Sequence, residues 1–341
     1  MILQELWQRA RDQLGLSQET LIRYFAKAGL PLSEAVVKRM LRGERRPRED
    51  APQVATILLR FFGERRLLYT EKEIEAVGHW FGLPPGEALR LMPQVAYTNL
   101  DVTLNGLTFQ KPEDAYHSIL DHLSAGGNPY VALEGPPGSG KTTLACHVGR
   151  NPLLGIWYDV VLYARSRHEA GWLAGDEAAL LETLQEFIWT LDPDRRPASS
   201  LAAARSILRN LLWRRRALFV LDDVADVQAL PRLFIREAGN GLLAVVASGT
   251  VLQDTELHLQ RVTLQGWPNE QARQYVSAVL ERELSEEQIR VVDELNAWIA
   301  GLPIAWAALA ELLFYENNWP DLVEELKVAG AETARVRAVL A

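Results

Sequence analysis

Through residues 1–92 the apolar positions recur at helical spacing. Leu3, Leu6, Trp7, Ala10 and Leu14 form one stripe, and Ser17 stands where it can N-cap a second helix carrying Leu21, Ile22 and Phe25. Gly29 ends that helix. Ser33 opens a third, Glu34–Leu41, with Val36, Val37, Met40 and Leu41 on its apolar side and Gly43 as its stop. Ala51–Leu68 and Thr70–Trp80 continue as helices. Leu83-Pro84-Pro85-Gly86 is a break, Glu87–Met92 a short helix, and residues 93–110 a linker. The period then changes. After an amphipathic helix at Pro112–Leu123, unbroken apolar runs alternate with helical stripes. The runs are Pro129–Leu133, Gly155–Tyr163, Ala217–Val224 with two aspartates near its end and Gly241–Thr250 with polar residues at its carboxyl end, and Arg261–Gln265 is a further strand. The stripes between them are Thr143–Val148, Asp176–Leu191 and Ser200–Trp213. Strands without polar alternation, separated by helices, are the pattern of a parallel sheet covered on both faces. Beyond Gly266-Trp267-Pro268 the chain is helical again: Asn269–Glu283, Ser285–Ala300, Pro303–Tyr315, Trp319–Val328 and Glu332–Leu340. The expected organisation is a helical unit over 1–92, a linker over 93–110, an α/β unit over 111–266 and a small helical unit over 267–341.

The chemistry concentrates where the first buried strand meets its helix. Gly135-Pro136-Pro137-Gly138-Ser139-Gly140-Lys141-Thr142 has the spacing G-x-x-x-x-G-K-T, and Thr143 continues into the helix. Glycines let the backbone turn tightly so that successive N–H groups converge on a phosphate, and the helix N-terminus adds its positive dipole end. In this P-loop reading Lys141 reaches the β- and γ-phosphates and the Thr142 hydroxyl ligates Mg²⁺. The fold class that follows is an α/β P-loop NTPase, with ATP or ADP and Mg²⁺ as its cofactors. A second apolar strand ends in Leu221-Asp222-Asp223-Val224. Two carboxylates at a strand's end, downstream of a P-loop, suit a metal-holding Asp222 and a water-polarising Asp223. Whether Asp223 is an efficient base stays open, as does the role of Ser248 and Thr250. Those two stand at the carboxyl end of the next strand and are either γ-phosphate sensors or ordinary turn residues. Pro303 is a preorganised first-turn residue after Gly301.

Composition narrows the setting. With 341 residues, 48% apolar and 23% charged, the chain suits more than one ordinary globular domain. The single Cys146 excludes an intramolecular disulfide and fits a reducing cytoplasm. No basic and apolar leader pattern follows Met1. Ala297–Tyr315 is apolar, but Gly301, Pro303 and Glu311 argue for a buried helix rather than a membrane span. The net charge of −8 hides an asymmetry: residues 1–70 hold 13 Lys and Arg against 8 Asp and Glu, a balance of +5 that leaves −13 for the rest. Any nucleic-acid contact is therefore expected at the N-terminal end.

Two resemblances add to this. Leu16-Ser17-Gln18-Glu19-Thr20-Leu21 and Arg42-Gly43-Glu44-Arg45-Arg46-Pro47 resemble the lambda-repressor/Cro-like helix-turn-helix family. The likeness implies base-edge contacts from Ser33, Glu34, Val37 and Lys38, and phosphate contacts from Arg42, Arg45 and Arg46. The bundle could equally serve protein contacts, its arginines forming a solvated face. The order P-loop, Leu221-Asp222-Asp223-Val224, Gly301-Leu302-Pro303-Ile304-Ala305 resembles the NB-ARC group of STAND-type, AAA+-related ATPases over roughly residues 109–329. That likeness implies a signalling switch in which Pro303 packs near the nucleotide, self-association accompanies activation, and hydrolysis is slow. It departs from the family at Ser248-Gly249-Thr250, which carries no arginine, and at Ala341, where the family usually continues into a winged-helix domain. The chain would then be a piece of a longer receptor or a short version of one. Two other classes compete: a DNA-transposition-type AAA+ ATPase that binds DNA in an ATP-dependent way, and a small-molecule P-loop kinase.

Overall fold

The computed structural model describes residues 2–44, 50–65, 67–68, 71–92, 95–100, 112–124, 129–166, 172, 175–237, 239–247, 257–315 and 319–328. The N-terminal helices are α1 (Ile2–Leu14), α2 (Gln18–Lys27), α3 (Glu34–Leu41), α4 (Ala51–Glu64), α5 (Glu71–Phe81) and α6 (Glu87–Arg90). Ser17 caps α2 as expected, its Oγ accepting from the Thr20 N–H at 3.3 Å, whereas Ser33 makes no side-chain cap bond on α3. Within the stretch read as linker, β1 (Tyr97–Thr98) is a short strand. Then follow α7 (Glu113–Ser124), β2 (Tyr130–Glu134), α8 (Lys141–Gly149), α9 (Leu154–Trp157), β3 (Val160–Arg165), α10 (Glu177–Leu191) and α11 (Leu201–Leu211). Next come β4 (Ala217–Val224), α12 (Leu230–Leu233), β5 (Gly241–Val246) and β6 (Gln260–Thr263). The last helices are α13 (Asn269–Leu280), α14 (Glu286–Trp298) and α15 (Pro303–Tyr315), with residues 319–328 also helical.

The strands form one six-stranded sheet in the order β1-β3-β4-β5-β2-β6, every pairing parallel. All strands therefore end at one edge, and β5 alone separates the P-loop strand β2 from β4, which carries the two aspartates. Ligands of open parallel sheets bind at such an edge. One reading is corrected. Gly155–Tyr163 is not a continuous strand: Leu154–Trp157 is a helical turn, initiated where Asn151 Oδ1 accepts from the Leu153 N–H at 2.8 Å, and the strand begins at Val160. A short apolar run has no periodicity with which to separate a buried turn from a buried strand.

The two faces of the sheet carry different cores. On one, Phe187 and Phe234 stand edge-on to Phe219 between α10, α11 and the sheet. On the other, a single apolar cluster runs from Leu3, Phe25, Phe62 and Trp80 of the N-terminal helices through Ile156 and Trp157 to Leu144, Leu133 and Leu264. The N-terminal unit is thus built onto the α/β unit. Gly63 at the end of α4 makes the fit possible. A Cβ there would stand 2.1 Å from Ile156 Cδ1, and the Gly63 carbonyl accepts from Trp157 Nε1 at 3.2 Å. The third cluster, centred on Trp267, Tyr275, Val292 and Trp306, belongs to the small helical unit. Among the described residues no helix is long and apolar enough to cross a membrane.

Candidate nucleotide site

The P-loop adopts left-handed backbone at each of its glycines: φ is 148° at Gly135, 77° at Gly138 and 89° at Gly140. Gly135 must also be small, because a Cβ would stand 2.6 Å from the Leu264 carbonyl and 2.9 Å from Ser139 Oγ. Pro136 and Pro137 lie exposed on the outer side, and Gly140 caps α8, whose first turn carries Lys141, Thr142 and Thr143. The Lys141 ammonium folds back over the loop, donating to the carbonyls of Gly135 at 2.8 Å and Pro136 at 3.1 Å. Burial lowers its pKa, opposed by the charges of Asp222 and Asp223. Ser139 is buried and its Oγ has no hydrogen-bond partner among the described residues. A buried, unpartnered hydroxyl in a glycine-rich loop at a helix N-terminus, with the Lys141 ammonium folded over the same loop, is a site that suits an anion.

The aspartates sit on a bulge. β4 pairs Leu221 with Ala244 and Val224 with Val246, so β4 advances one residue more than β5 between those pairs. The surplus residue lets Asp223 take φ +67° and puts the two side chains on different courses. Asp222 turns inward and is 1% exposed. Its Oδ1 accepts from the Thr142 hydroxyl at 3.0 Å, its Oδ2 from the Tyr163 hydroxyl at 3.2 Å, and Arg165 Nε lies 3.7 Å from the same Oδ2. Burial holds its carboxyl above the ordinary carboxylate value, against those two hydrogen bonds and Arg165. Asp223 stays partly exposed, and its charge reaches both Lys141 and Asp222. The Mg²⁺ expected from the sequence fits this donor set. A hydroxyl and a buried carboxylate 3.0 Å apart are hard oxygen ligands, and Mg²⁺ bound with phosphates needs only one or two from the protein.

The small helical unit reaches the loop directly. The N–H of Ile304, at the start of α15, donates to the Gly138 carbonyl at 3.3 Å. A Cβ on Gly138 would stand 2.3 Å from Ile304 Cγ2. Pro303 is the first residue of that helix, as its place after Gly301 suggested. What holds it there was not read from the sequence. Asn296, 5% exposed, donates through Nδ2 to the Trp267 carbonyl and to Asn269 Oδ1, both at 2.9 Å, and its Oδ1 accepts from Trp306 Nε1 at 2.7 Å. Gly301, at φ +67°, accepts from the Trp267 N–H at 2.7 Å. The only advance signal for Asn296 is an amide within an apolar helical stripe.

The other sequence-predicted residues divide. Ser33, Glu34, Lys38 and Arg42 are exposed on and beside α3, Arg42 lying 3.7 Å from Glu44. Val37 is corrected: it is fully buried among the N-terminal helices, because its position falls on the inward stripe with Met40 and Leu41, and it cannot face a base edge. Arg45, Arg46, Ser248 and Thr250 lie outside the described residues. A cavity of about 590 Å³ opens between the starts of α7 and α13, lined by Pro112, Glu113, Asp114, Pro268, Glu270, Gln271 and Gln274. It adjoins the Leu264–Pro268 segment, whose first carbonyl crosses Gly135.

Comparison with known proteins agrees with this geometry over the α/β unit. Residues 112–241 match the family model of the NB-ARC domain, a span that includes the P-loop and both aspartates and ends before Gly301 and Pro303. No curated protein matches the chain. Among solved structures, the chain is similar to a Signal Transduction ATPase with Numerous Domains (STAND) protein with a tetratricopeptide repeat sensor from Pyrococcus horikoshii. That match has 14% identity and a TM-score of 0.36, covering 59% of this chain and 29% of the other. The chain thus spans less than a third of that protein's length.

Proposed function

We propose that this chain is a nucleotide-operated switch that binds ATP or ADP with Mg²⁺ and passes the state of the nucleotide to the helical units on either side. The observation that carries the reading is the Ile304–Gly138 contact, where the small helical unit rests on the loop that would hold the phosphates. In this arrangement the N–H groups between Gly135 and Thr142 bind the phosphates. Lys141 leaves the loop's carbonyls for the β- and γ-phosphates, and Thr142 with Asp222 holds the metal. Bound Mg²⁺ would neutralise phosphate charge. Asp223, on the exposed side of the bulge, orients and deprotonates an attacking water, and hydrolysis is slow. The cavity beside Pro268 takes the nucleoside end. A change from ADP to ATP alters what presses on the loop from within, so the docked and lifted positions of α15 differ in their affinity for the two nucleotides, and the lifted form self-associates.

The experiment is calorimetry of the purified chain with ATP and ADP in the presence of Mg²⁺, together with its mass in solution in each state. Lys141→Ala should remove nucleotide binding; unchanged affinity in that variant would defeat the P-loop assignment. A second reading, DNA contact by the N-terminal helices, is favoured by the exposure of Ser33, Glu34, Lys38 and Arg42 on one helix and its end. It requires measurable DNA affinity at low salt that falls when Lys38 and Arg42 are both replaced by Ala. Binding that needs ATP and ignores DNA sequence would instead favour a DNA-remodelling ATPase.

A further inference from the structure

The short strand β1 places the segment leaving the N-terminal helices against β3, and the next residue continues the pairing with its side chain. Asn99 Nδ2 donates to the Tyr163 carbonyl at 2.7 Å, and Asn99 Oδ1 accepts from the Tyr163 N–H at 2.7 Å. A side-chain amide thereby does for Tyr163 what a neighbouring strand's peptide would do, and fixes the backbone from which its ring departs. That ring ends at Asp222 Oδ2, 3.2 Å away, while Thr142 holds Oδ1 at 3.0 Å. The two hydroxyls bracket the carboxylate, one from the P-loop helix and one from the strand that the linker grips. The next residue, Leu100, packs on Gly149 at the far end of α8, where a Cβ would stand 2.7 Å from Leu100 Cδ2. The linker therefore touches both elements that bracket Asp222.

We propose that Tyr163 is a positioning residue for Asp222, and that Asn99, by holding Tyr163, makes the placement of this metal-side carboxylate depend on the docking of the linker. The inference rests on the reading of the site as one for a Mg²⁺-bound nucleotide. Its reach is specific. Without the Tyr163 hydroxyl the carboxylate keeps its bond to Thr142, but Oδ2 is left with only the longer 3.7 Å approach of the exposed Arg165 Nε, so the pair of oxygens offered to a divalent ion is less well placed. Binding of the phosphates by backbone N–H groups and Lys141 does not involve Tyr163.

The test is calorimetric nucleotide affinity measured with Mg²⁺ and with EDTA, the ratio of the two being the readout. Tyr163→Phe should reduce that ratio by about three- to tenfold, the net worth of one ordinary hydrogen bond, as the 3.2 Å length of this one suggests, while the affinity in EDTA stays as in the wild type. Asn99→Ala should lower the ratio in the same direction, and the double variant should be no worse than Tyr163→Phe alone, since Asn99 acts through Tyr163. In an Asp222→Asn background Tyr163→Phe should have no further effect. A ratio unchanged or raised in Tyr163→Phe overturns the proposal, and additive losses in the double variant overturn the role of Asn99. Failure of the underlying reading looks different: a wild-type chain that binds no nucleotide, or binds it equally in Mg²⁺ and EDTA. Thermal unfolding of each variant, expected near that of the wild type, separates positioning from a general loss of fold.

Discussion

Gly138→Ala tests whether the small helical unit truly rests on the phosphate loop. The substitution has two costs. At φ +77° an alanine occupies left-handed backbone, which costs roughly 1–2 kcal/mol. Its Cβ would also lie 2.3 Å from Ile304 Cγ2, a separation that no relaxed contact shows. Ile304 is 67% exposed, so the side chain or the start of α15 can move away, and the cost of the clash is limited to what that docking contributes. The clearest loss is the Ile304 N–H to Gly138 hydrogen bond, about 1 kcal/mol. The sum is about 2–3 kcal/mol. Ile304→Ala alone should change stability by about 0.5 kcal/mol or less, because the side chain is mostly in solvent. The double variant replaces the 2.3 Å clash with a tight 3.2 Å approach of the Cβ at position 304 and keeps the backbone strain, so it should be about 1 kcal/mol more stable than Gly138→Ala. Urea unfolding followed by tryptophan fluorescence, with the denaturant slope unchanged, measures each corner of the cycle. If the double variant is no more stable than Gly138→Ala, Ile304 does not lie on the loop and the carrying observation fails. Nucleotide affinity should fall at least about tenfold in both variants that carry the Gly138→Ala change, since the loop's N–H groups no longer converge.

Other expectations follow from the same geometry. Gly301→Ala puts a Cβ 2.4 Å from the Trp267 carbonyl at φ +67°, against backbone that has no rotamer to change. A loss of about 2–4 kcal/mol and faster proteolytic cleavage around residues 299–303 are expected; wild-type resistance to protease would refute the tight crossing. Gly63→Ala drives a Cβ to 2.1 Å from Ile156 Cδ1 in a fully packed interface, and should cost about 1–3 kcal/mol in a urea melt. Buried acids set the alkaline limit. Burial pushes the Cys146 thiol from 9.0 up to about 11 and the Tyr116 phenol from 10.0 up to about 12. Both folded values are raised, so their contribution is fully present below pH 9 and is lost as pH climbs through 11 and 12. Tyr116→Phe should flatten the upper part of that fall, and a melting temperature constant to pH 12 would contradict the burial of both groups.

What could be read in advance follows a physical division. The P-loop, Asp222 and the parallel sheet were legible because a phosphate loop requires glycines and a lysine at set spacing, and because strands covered on both faces lose polar alternation. Residues whose role is to stand in for backbone were not. Asn99 and Asn296 each satisfy peptide groups distant in sequence, 64 residues away for Tyr163 and 29 for Trp267, and no local pattern marks them. The bulge at Asp222–Asp223 was invisible for a related reason, since register is a property of two strands and only one is visible at a time. Val37 shows the converse error. Its position was assigned by likeness to a DNA-reading helix, while its own stripe with Met40 and Leu41 already turned it inward.

The contacts of α8 show how one element could serve both neighbouring units. The helix is 9 residues long and rigid on that scale. Just before its first residue, Ile304 of the small helical unit fills the space left by Gly138; at its last, Leu100 of the linker fills the space left by Gly149. Beside its C-terminal end, α9 presents Ile156 and Trp157 to Gly63 of the N-terminal unit. At Gly149 and Gly63 the join is a buried apolar side chain seated where a glycine has no Cβ, whereas at Gly138 the mostly exposed Ile304 lies against the loop and adds its N–H hydrogen bond. Such seats favour discrete docked and lifted positions over gradual displacement, because a partly withdrawn side chain loses its dispersion contacts and leaves a gap. A phosphate that moves the P-loop by a fraction of an ångström therefore acts on a helix gripped at both ends by separate units. The direction of influence is reciprocal: loosening the contacts of Gly63 or Leu100 should alter nucleotide affinity by up to the factor by which nucleotide alters the docking of the N-terminal helices. Measuring nucleotide affinity in Leu100→Ala decides it, since an affinity equal to that of the wild type would make the linker a tether rather than a coupling.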